Sequence, residues 1–448
     1  MISYIAIPII IIILLYCYKS DYKKGLMASI FCLVLLPKSL AIYLTPEIPS
    51  FTVHRIIIVL MLIMWMKSRN SSSLRVGQIN FIYILIAISF FSGISALISS
   101  NFLISFKRYL YFIFESLIFY IILASSIEDE SDFLKLFKVI IASLCVVAFL
   151  GIIERYTGFN FTDYLGYKGT YDDLSTLATL QRGTHVSYEH RILLGVAMAI
   201  GLFYSLSMIG RVKGKKVFIY WIVSFLLGAM LYFAQSRGPW LAFILSAGLA
   251  VAFFNKPLVK RFAILACIVI AVFIIRPGVF STIEGLYDST LNPESIKGSS
   301  YAWRYQVIQV VTDKIGKSDS LANYFFGFGQ GSFAFEKFPL VTLTTGFTVK
   351  IESFDCEYAV ILLERGYVGL LLVIFLYIVV IKKGVTNYFK YKSMQDISLM
   401  SLACVIIIAF MKINVDIYAP QLVYIELLNI AVISRMADIP IESSVSSL

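Results

Sequence analysis

Arg237 is the charged residue whose place in the sequence most needs an explanation. It lies in QSRGPWLA, between two long apolar runs with almost no room for a loop. An arginine there is costly unless it faces a cavity or has a partner. Gly238 and Pro239 are expected to break the helix beside it, which would present the guanidinium at the mouth of a helical bundle. The alternative is an arginine that extends to the membrane–water interface.

Further cationic groups precede the apolar run that starts near residue 190. Arg182, His185, His190 and Arg191 all lie in QRGTHVSYEHR, and Arg304 lies in the later segment SSYAWRYQ. Several such groups at one mouth indicate an anion site, because a guanidinium binds two phosphate oxygens at once. The alternatives are an interfacial belt for Arg191 and a solvated charge for Arg304.

Two carboxylates stand at the entry to a later apolar run. Asp355 and Glu357 belong to ESFDCEYAVILLERGYVG. Carboxyl groups at an apolar boundary have raised pKa values and can act as general bases. The alternative is that they only mark the end of a span or pair with a nearby arginine. Glu364 and Arg365, about two helical turns further on, are expected to pair with each other.

The remaining motif candidates favour no metal or nucleotide chemistry. The segment GFGQGSF (327–333) lacks the G-x-G-x-x-G spacing, so we expect a turn where the backbone passes close to another element. The sequence holds no Walker A, HExxH or GxSxG motif, and its six cysteines form no CxxC pair. We therefore expect no metal site and no cofactor.

The elements that position these side chains are predicted to be membrane-spanning helices. Of 448 residues, 59% are hydrophobic and only 15% are charged, and the mean hydropathy is +0.85. A soluble domain carries roughly 25% charged residues. Long continuous apolar runs in lipid must form helices, because each backbone N–H has to be satisfied within its own segment. The predicted fold is all-α, a polytopic bundle of about 12–14 spans with a large, partly helical extracytoplasmic loop.

We predict about thirteen spans. Their approximate limits are 2–18, 25–44, 52–66, 79–98, 107–125, 136–154, 190–209, 217–234, 239–255, 261–276, 358–381, 396–412 and 418–435. Loops rich in Lys and Arg alternate along the chain and are assigned to the cytoplasm, which accounts for the net charge of +11 without nucleic acid. The second predicted span contains Lys38 and the third contains Arg55. The alternative is that one of these two spans is a re-entrant segment that does not cross the membrane.

Three regions follow from this topology. They are an N-terminal transmembrane bundle (1–276, including an outer loop at 155–189), a large extracytoplasmic loop (277–357), and C-terminal helices with a cytoplasmic tail (358–448). The large loop should contain a helix over 299–315 that is capped by Ser299 or Ser300. Three residues at helical spacing should rest on the membrane domain: Trp303, Val307 and Val311.

The order of these motifs resembles the O-antigen ligase and Wzy-type O-antigen polymerase superfamily. Apolar spans are followed by SRGPWLA, by an outer loop with YAWR and FFGFGQGSF, and then by FDCEYAVILLERGYVG leading into a span. The resemblance covers roughly residues 180–380. It implies a metal-independent glycosyltransferase of lipopolysaccharide or polysaccharide biosynthesis, located in the bacterial inner membrane with its active site facing the periplasm or the outside.

The resemblance also implies substrates and residue roles. The donor would be an oligosaccharide linked to undecaprenyl pyrophosphate. Arg237 and Arg304 would hold the pyrophosphate together with Arg182. From their place in the same outer segment as Arg182, His185 and Arg191 are candidates to assist. Membrane lipid and a chain-length regulator protein are the further partners expected.

The sequence departs from the family at the catalytic motif. The ligases carry a His-Asn pair where this chain has Asp355-Cys356, and DCEY is closer to the polymerase form. This favours a polymerase that extends a lipid-linked repeat unit. The alternatives are a ligase that acts on lipid A-core or protein, and a flippase for a lipid-linked saccharide. Whether Asp355 is the base or only orients the acceptor, with Glu357 in the active role, is open.

Overall fold

The computed structural model describes most of the chain. The described residues are 2–42, 50–68, 79–162, 184–253, 255–275, 296–318, 320–338, 341–342, 348–349, 354–417 and 419–439. Their α-helices are α1 (Ile2–Ser20), α2 (Tyr22–Leu35), α3 (Val53–Ser68), α4 (Ile82–Leu97), α5 (Phe102–Phe112), α6 (Phe119–Ser126), α7 (Glu130–Thr157), α8 (Arg191–Met208), α9 (Lys215–Phe233), α10 (Arg237–Ala252), α11 (Lys256–Ile275), α12 (Ile296–Gly316), α13 (Leu321–Phe326), α14 (Glu357–Lys390), α15 (Gln395–Met411) and α16 (Pro420–Arg435).

The described residues also contain short elements of other types. A π-helix, Ile113–Ile118, joins α5 to α6 without a break. Single 3-10 turns cover Val186–Tyr188, Ile209–Arg211, Ser332–Ala334 and Lys392–Met394. Two antiparallel pairs of two-residue strands are present, β1 (Ala41–Ile42) with β2 (Phe51–Thr52) and β3 (Val341–Thr342) with β4 (Thr348–Val349).

The chain has the all-α fold of a polytopic membrane protein, as predicted. Each of the predicted spans overlaps one helix of the series or, for 107–125, the continuous segment α5–π–α6. Six helical segments of the described residues are long and apolar enough to cross a bilayer. They are Phe102–Ser126, Glu130–Thr157, Arg191–Arg211, Lys215–Phe233, Glu357–Lys390 and Lys392–Met411. The helices at Tyr4–Ser20, Ile82–Leu97 and Arg237–Ala252 are apolar but shorter.

The second predicted span extends too far towards the C-terminus. Span 25–44 was expected to be continuous, but α2 ends at Leu35 and Leu36 is already extended. Pro37 explains the difference, because proline disfavours helical backbone in the residue before it and has no N–H for the helix. In the third span Arg55 is helical and is neutralised by Glu115 of the π-helix, with Nε and Oε1 2.7 Å apart.

The centre of the bundle consists of three helices with little exposed surface. The most apolar stretch of the segment Arg191–Arg211, which contains α8, has 89% of its residues buried. The most apolar stretch of α9 has only 22% of its residues buried. Nearly all of α16 is buried as well, and α15 packs against both α14 and α16. The outer helices therefore provide the lipid-facing surface.

The predicted helix of the large loop is present and packs as expected. Val307 and Val311 of α12 are fully buried against Phe354 and the first turns of α14, and Trp303 packs at the edge of this cluster. The predicted capping is wrong, because α12 begins at Ile296 and both Ser299 and Ser300 lie inside its first turns. Burial of this apolar face fixes α12, and with it Arg304, above the membrane-domain helices.

Candidate functional site

Arg237 is the first residue of α10, and the turn that exposes it lies before it. The expected break at Gly238 and Pro239 is wrong, since both residues are helical. Proline is tolerated in a first helical turn, where its missing N–H has no intrahelical acceptor in any case. The chain reverses instead at Gln235, whose φ is +48°. Arg237 thus lies at the N-terminus of a helix that packs on α8 and α15.

Arg304 is held by the loop between α15 and α16. Its Nε donates to the carbonyl oxygen of Asn414 at 2.9 Å. This hydrogen bond orients the guanidinium. Asn414 belongs to residues 412–417, which we call the clamp loop.

Three arginines gather at this end of the bundle and form what we call the cationic cluster. Arg191 starts α8, and the charges of Arg191 and Arg304 both act on Arg237. Three elements distant in sequence therefore bring like charges together, which is unfavourable unless an anion or buried carboxylates compensate. Such a group of arginines is typical of a phosphate-binding site.

Asp355 lies directly before α14 and beside this cluster. Burial raises the pKa of its carboxyl group, and the nearby charge of Arg304 opposes that rise. No side chain of the described residues forms a hydrogen bond with it. A half-buried carboxyl with a raised pKa next to a cationic site is suited to take a proton from a substrate hydroxyl.

Glu357 is bound on both of its carboxylate oxygens. Oε1 lies 3.1 Å from Nζ of Lys412, and Oε2 accepts a hydrogen bond from the backbone N–H of Ile417 at 2.9 Å. Its own backbone N–H donates to the Lys412 carbonyl at 2.9 Å. The first residue of α14 therefore fastens both ends of the clamp loop, and the carbonyl that orients Arg304 lies between these ends.

Lys412 is the buried cation on which this arrangement depends. Its ammonium group also lies 3.2 Å from Oε2 of Glu426, and Glu426 in turn accepts a hydrogen bond from the hydroxyl of Tyr377. Sequence reasoning missed Lys412, although it fell at the very end of a predicted span. A charge at that depth was the available signal.

Asp416 is a second residue that sequence reasoning missed. It lies in the clamp loop, and its pKa is raised well above the usual value by burial and then by the charges of Glu357 and Glu364. Lys38 and Lys412 act in the opposite direction. A single aspartate in the short loop MKINVDIYAP gave no motif from which to identify it.

The histidines before α8 differ in their surroundings. His185 is fastened to the end of α7, with Nδ1 3.2 Å from Oε1 of Glu154 and Nε2 3.2 Å from Nδ2 of Asn160. His190 caps α8, and burial together with Arg191, His185 and Arg304 lowers its pKa to about 4. His190 is therefore neutral rather than a member of the cationic cluster. Arg182 lies outside the described residues.

The glycine-rich segment supports α14 near the site. Gly327 has a φ of +79°, and a Cβ there would lie 2.5 Å from the backbone of Glu364 and Arg365. The backbone N–H of Gly331 donates to Oε1 of Glu364 at 2.6 Å, and α14 is itself broken at Gly366. The predicted close backbone approach is confirmed.

Glu364 and Arg365 were expected to pair with each other. Within the described ranges they form no ion pair, because Glu364 binds the Gly331 amide and Arg365 lies 4.5 Å above the ring of Phe112. They still interact electrostatically. The described side chains also contain no group of three or more His, Cys, Asp or Glu placed to hold a metal ion.

Fold and site together define a multi-pass membrane protein with a cationic cluster and a carboxylate at one end of its helical bundle. Residues 222–374 match the family model described as O-Antigen ligase, which supports assignment to the O-antigen ligase and Wzy-type superfamily. The match covers Arg237, Arg304, Asp355 and Glu357, and the predicted resemblance is confirmed over these residues. It indicates O-antigen ligase-like glycan transfer by a membrane glycosyltransferase-like enzyme. No curated protein matches the chain.

Proposed function

We propose that the protein is a polysaccharide polymerase that transfers a glycan from an undecaprenyl-pyrophosphate donor to a lipid-linked repeat unit. The observation that carries the proposal is the convergence of Arg191, Arg237 and Arg304 beside Asp355. A pyrophosphate needs several cations around it, and a hydroxyl nucleophile needs a base within reach. The protein contributes both without a metal ion.

The reaction proceeds as a single inverting displacement. The acceptor hydroxyl oxygen forms a bond to the anomeric carbon while the bond from that carbon to the pyrophosphate oxygen breaks. The electron pair stays on the departing pyrophosphate, where the cationic cluster stabilises it. The hydroxyl proton moves to Asp355. Preorganised charge of this kind contributes several kcal/mol to the stabilisation of a transition state.

Asp355 rather than Glu357 is assigned as the base. Both oxygens of Glu357 already bind Lys412 and Ile417. Neither oxygen is therefore free to accept a hydrogen bond from an acceptor hydroxyl without losing one of these contacts. Glu357 is instead a positioning residue, because it sets the clamp loop whose Asn414 carbonyl orients Arg304.

We infer from the positions of the charged loops that this chemistry takes place outside the cytoplasm. The basic segments 211–216, 255–261 and 382–392 lie at or just after the C-terminal ends of α8, α10 and α14, and such segments stay in the cytoplasm. The site then faces the periplasm or the outside of the inner membrane, with its donor supplied by the lipid phase. A chain-length regulator is the protein partner expected for a polymerase.

The test is whether the purified full-length protein extends lipid-linked repeat units without any other protein. We expect Arg237→Ala and Arg304→Ala each to lower the rate by about 10²–10³-fold, and Asp355→Ala by about 10²–10⁴-fold. Asp313→Ala and Lys317→Ala, at the exposed C-terminal end of α12 and just after it, are matched controls that keep wild-type rates. Full-length products from all three site variants would refute the proposal, provided that the variants insert and purify as the wild type does.

A ligase is the second candidate, because the matching family model is described by that activity. The motif Asp355-Cys356-Glu357-Tyr358 favours the polymerase. The two differ in the acceptor alone, so the same assay with lipid A-core in place of the lipid-linked repeat distinguishes them. A flippase would move the lipid-linked saccharide without forming a glycosidic bond.

A further inference from the structure

His190 has one ring nitrogen engaged and one available. It is the N-cap residue of α8, and its Nδ1 accepts a hydrogen bond from the backbone N–H of Ile192 at 3.2 Å. A ring nitrogen that accepts a hydrogen bond carries no proton. In the neutral imidazole the proton must then be on Nε2, so the cap fixes the tautomer.

The ring stays neutral because of its neighbours. It is mostly buried, and Arg191, His185 and Arg304 all disfavour a further positive charge there. Nε2–H is consequently a permanent donor near physiological pH. Within the described residues only the Nδ1 side of the ring is engaged, so Nε2–H is available to a bound molecule.

The acceptor that suits this position is an anion bound at the cationic cluster. Arg191 is the next residue along the chain, and Arg304 is near enough to act on the His190 ring. The first backbone N–H groups of α8 point towards the same end of the helix, where negative charge is favoured. A neutral donor adds a hydrogen bond to a phosphoryl oxygen without adding to the repulsion among three arginines.

We propose that His190 binds the pyrophosphate of a polyprenyl pyrophosphate through Nε2–H, with its tautomer fixed by the helix cap. The proposal rests on the proposed function and adds a donor-binding residue to it. The competing explanation is that His190 serves only as the cap of α8.

Two substitutions separate the two roles. His190→Asn keeps a side-chain oxygen that can cap α8, since asparagine is among the best N-cap residues, but it lacks the distal donor. His190→Gln places an amide N–H near the position of Nε2 and loses the short-range cap. Binding of undecaprenyl pyrophosphate to the full-length protein in detergent micelles is measured together with the thermal midpoint, and undecaprenol serves as the control without phosphate.

We expect His190→Asn to weaken binding by about ten-fold at an unchanged midpoint, as for the loss of one hydrogen bond to a charged group. His190→Gln should bind within about two-fold of the wild type at a lower midpoint. Wild-type binding by the Asn variant, or equal losses in both variants, overturns the proposal.

Failure of the His190 proposal can be distinguished from failure of the proposed function. A wild-type protein that binds the pyrophosphate with the expected variant pattern but forms no glycosidic bond would refute glycan transfer and leave the role of His190 in place. A wild-type protein that extends repeats, with neither variant affected in binding, would refute the role of His190 alone. A wild-type protein that does not distinguish the pyrophosphate from undecaprenol would refute both.

Discussion

Lys412 and Glu357 form an ion pair, 3.1 Å between Nζ and Oε1, that joins the end of α15 to the start of α14. Only 9% of the lysine side chain and 16% of the glutamate side chain are exposed. The pair therefore lies where a lone charge would be costly. Its position is informative because the segment it fastens carries the Asn414 carbonyl that orients Arg304.

Replacing Lys412 tests whether this pair holds the clamp loop. Lys412→Met leaves Glu357 and Glu426 facing each other without a cation, and breaking a buried pair in this way costs about 3–5 kcal/mol. We expect the free energy of unfolding in detergent to fall by this order. The matched control is Lys317→Met, which removes an exposed pair with Asp313 and should change stability little. Equal effects of the two variants would show that the clamp does not stabilise the fold.

The pH dependence of transfer tests Asp355 as the base. Burial raises its pKa and Arg304 lowers it, so removal of the arginine charge raises this pKa further. A base acts when it is deprotonated, and the rate must therefore rise with pH through this pKa. In Arg304→Gln the acid limb of the profile should move to higher pH, as measured by kcat/KM from pH 4 to pH 9. Arg191→Gln should lower the rate without moving the limb, and a limb unmoved in both variants would exclude Asp355 as the titrating group.

The sequence was most informative where one physical constraint decides the structure. Apolar runs must become helices in lipid, so the predicted spans lie close to the observed helices. The failures have local causes. Pro37 shortens α2. The turn before α10 occurs at Gln235, whose left-handed backbone conformation no sequence pattern indicates. Arg237 and Arg304 stood out as charges that needed an explanation.

Contacts between distant segments were beyond sequence reasoning. Nothing in MKINVDIYAP indicates that Lys412 pairs with Glu357, because the partners are separated by the whole of α14 and α15. The neutral state of His190 also depends on distant segments, since it follows from burial and from the charge of Arg304, more than a hundred residues away. Such effects depend on tertiary packing, and packing has no local signature.

The glycine-rich segment should tolerate no side chain at Gly327. Its φ is +79°, and an added Cβ would meet the backbone nitrogen of Arg365 at 2.5 Å. Backbone cannot move aside as a flexible side chain can, so Gly327→Ala should separate the segment from the break in α14. We expect a lower thermal midpoint and loss of transfer activity. Gly248→Ala, in open space on α10, is the control and should be neutral or slightly stabilising.

The apolar face of α12 should determine how well the donor is held. Val311 is fully buried against α14, whereas Ile308 on the same helix is 38% exposed. Val311→Ala removes two buried methyl groups, which costs about 2 kcal/mol. Because Arg304 is on this helix, looser docking should raise KM for the donor more than it lowers kcat. Steady-state kinetics with varied donor concentration measures both, and limited proteolysis of the loop reports docking directly. Ile308→Ala should leave KM and proteolysis unchanged, and equal effects of the two substitutions would mean that burial of this face does not position Arg304.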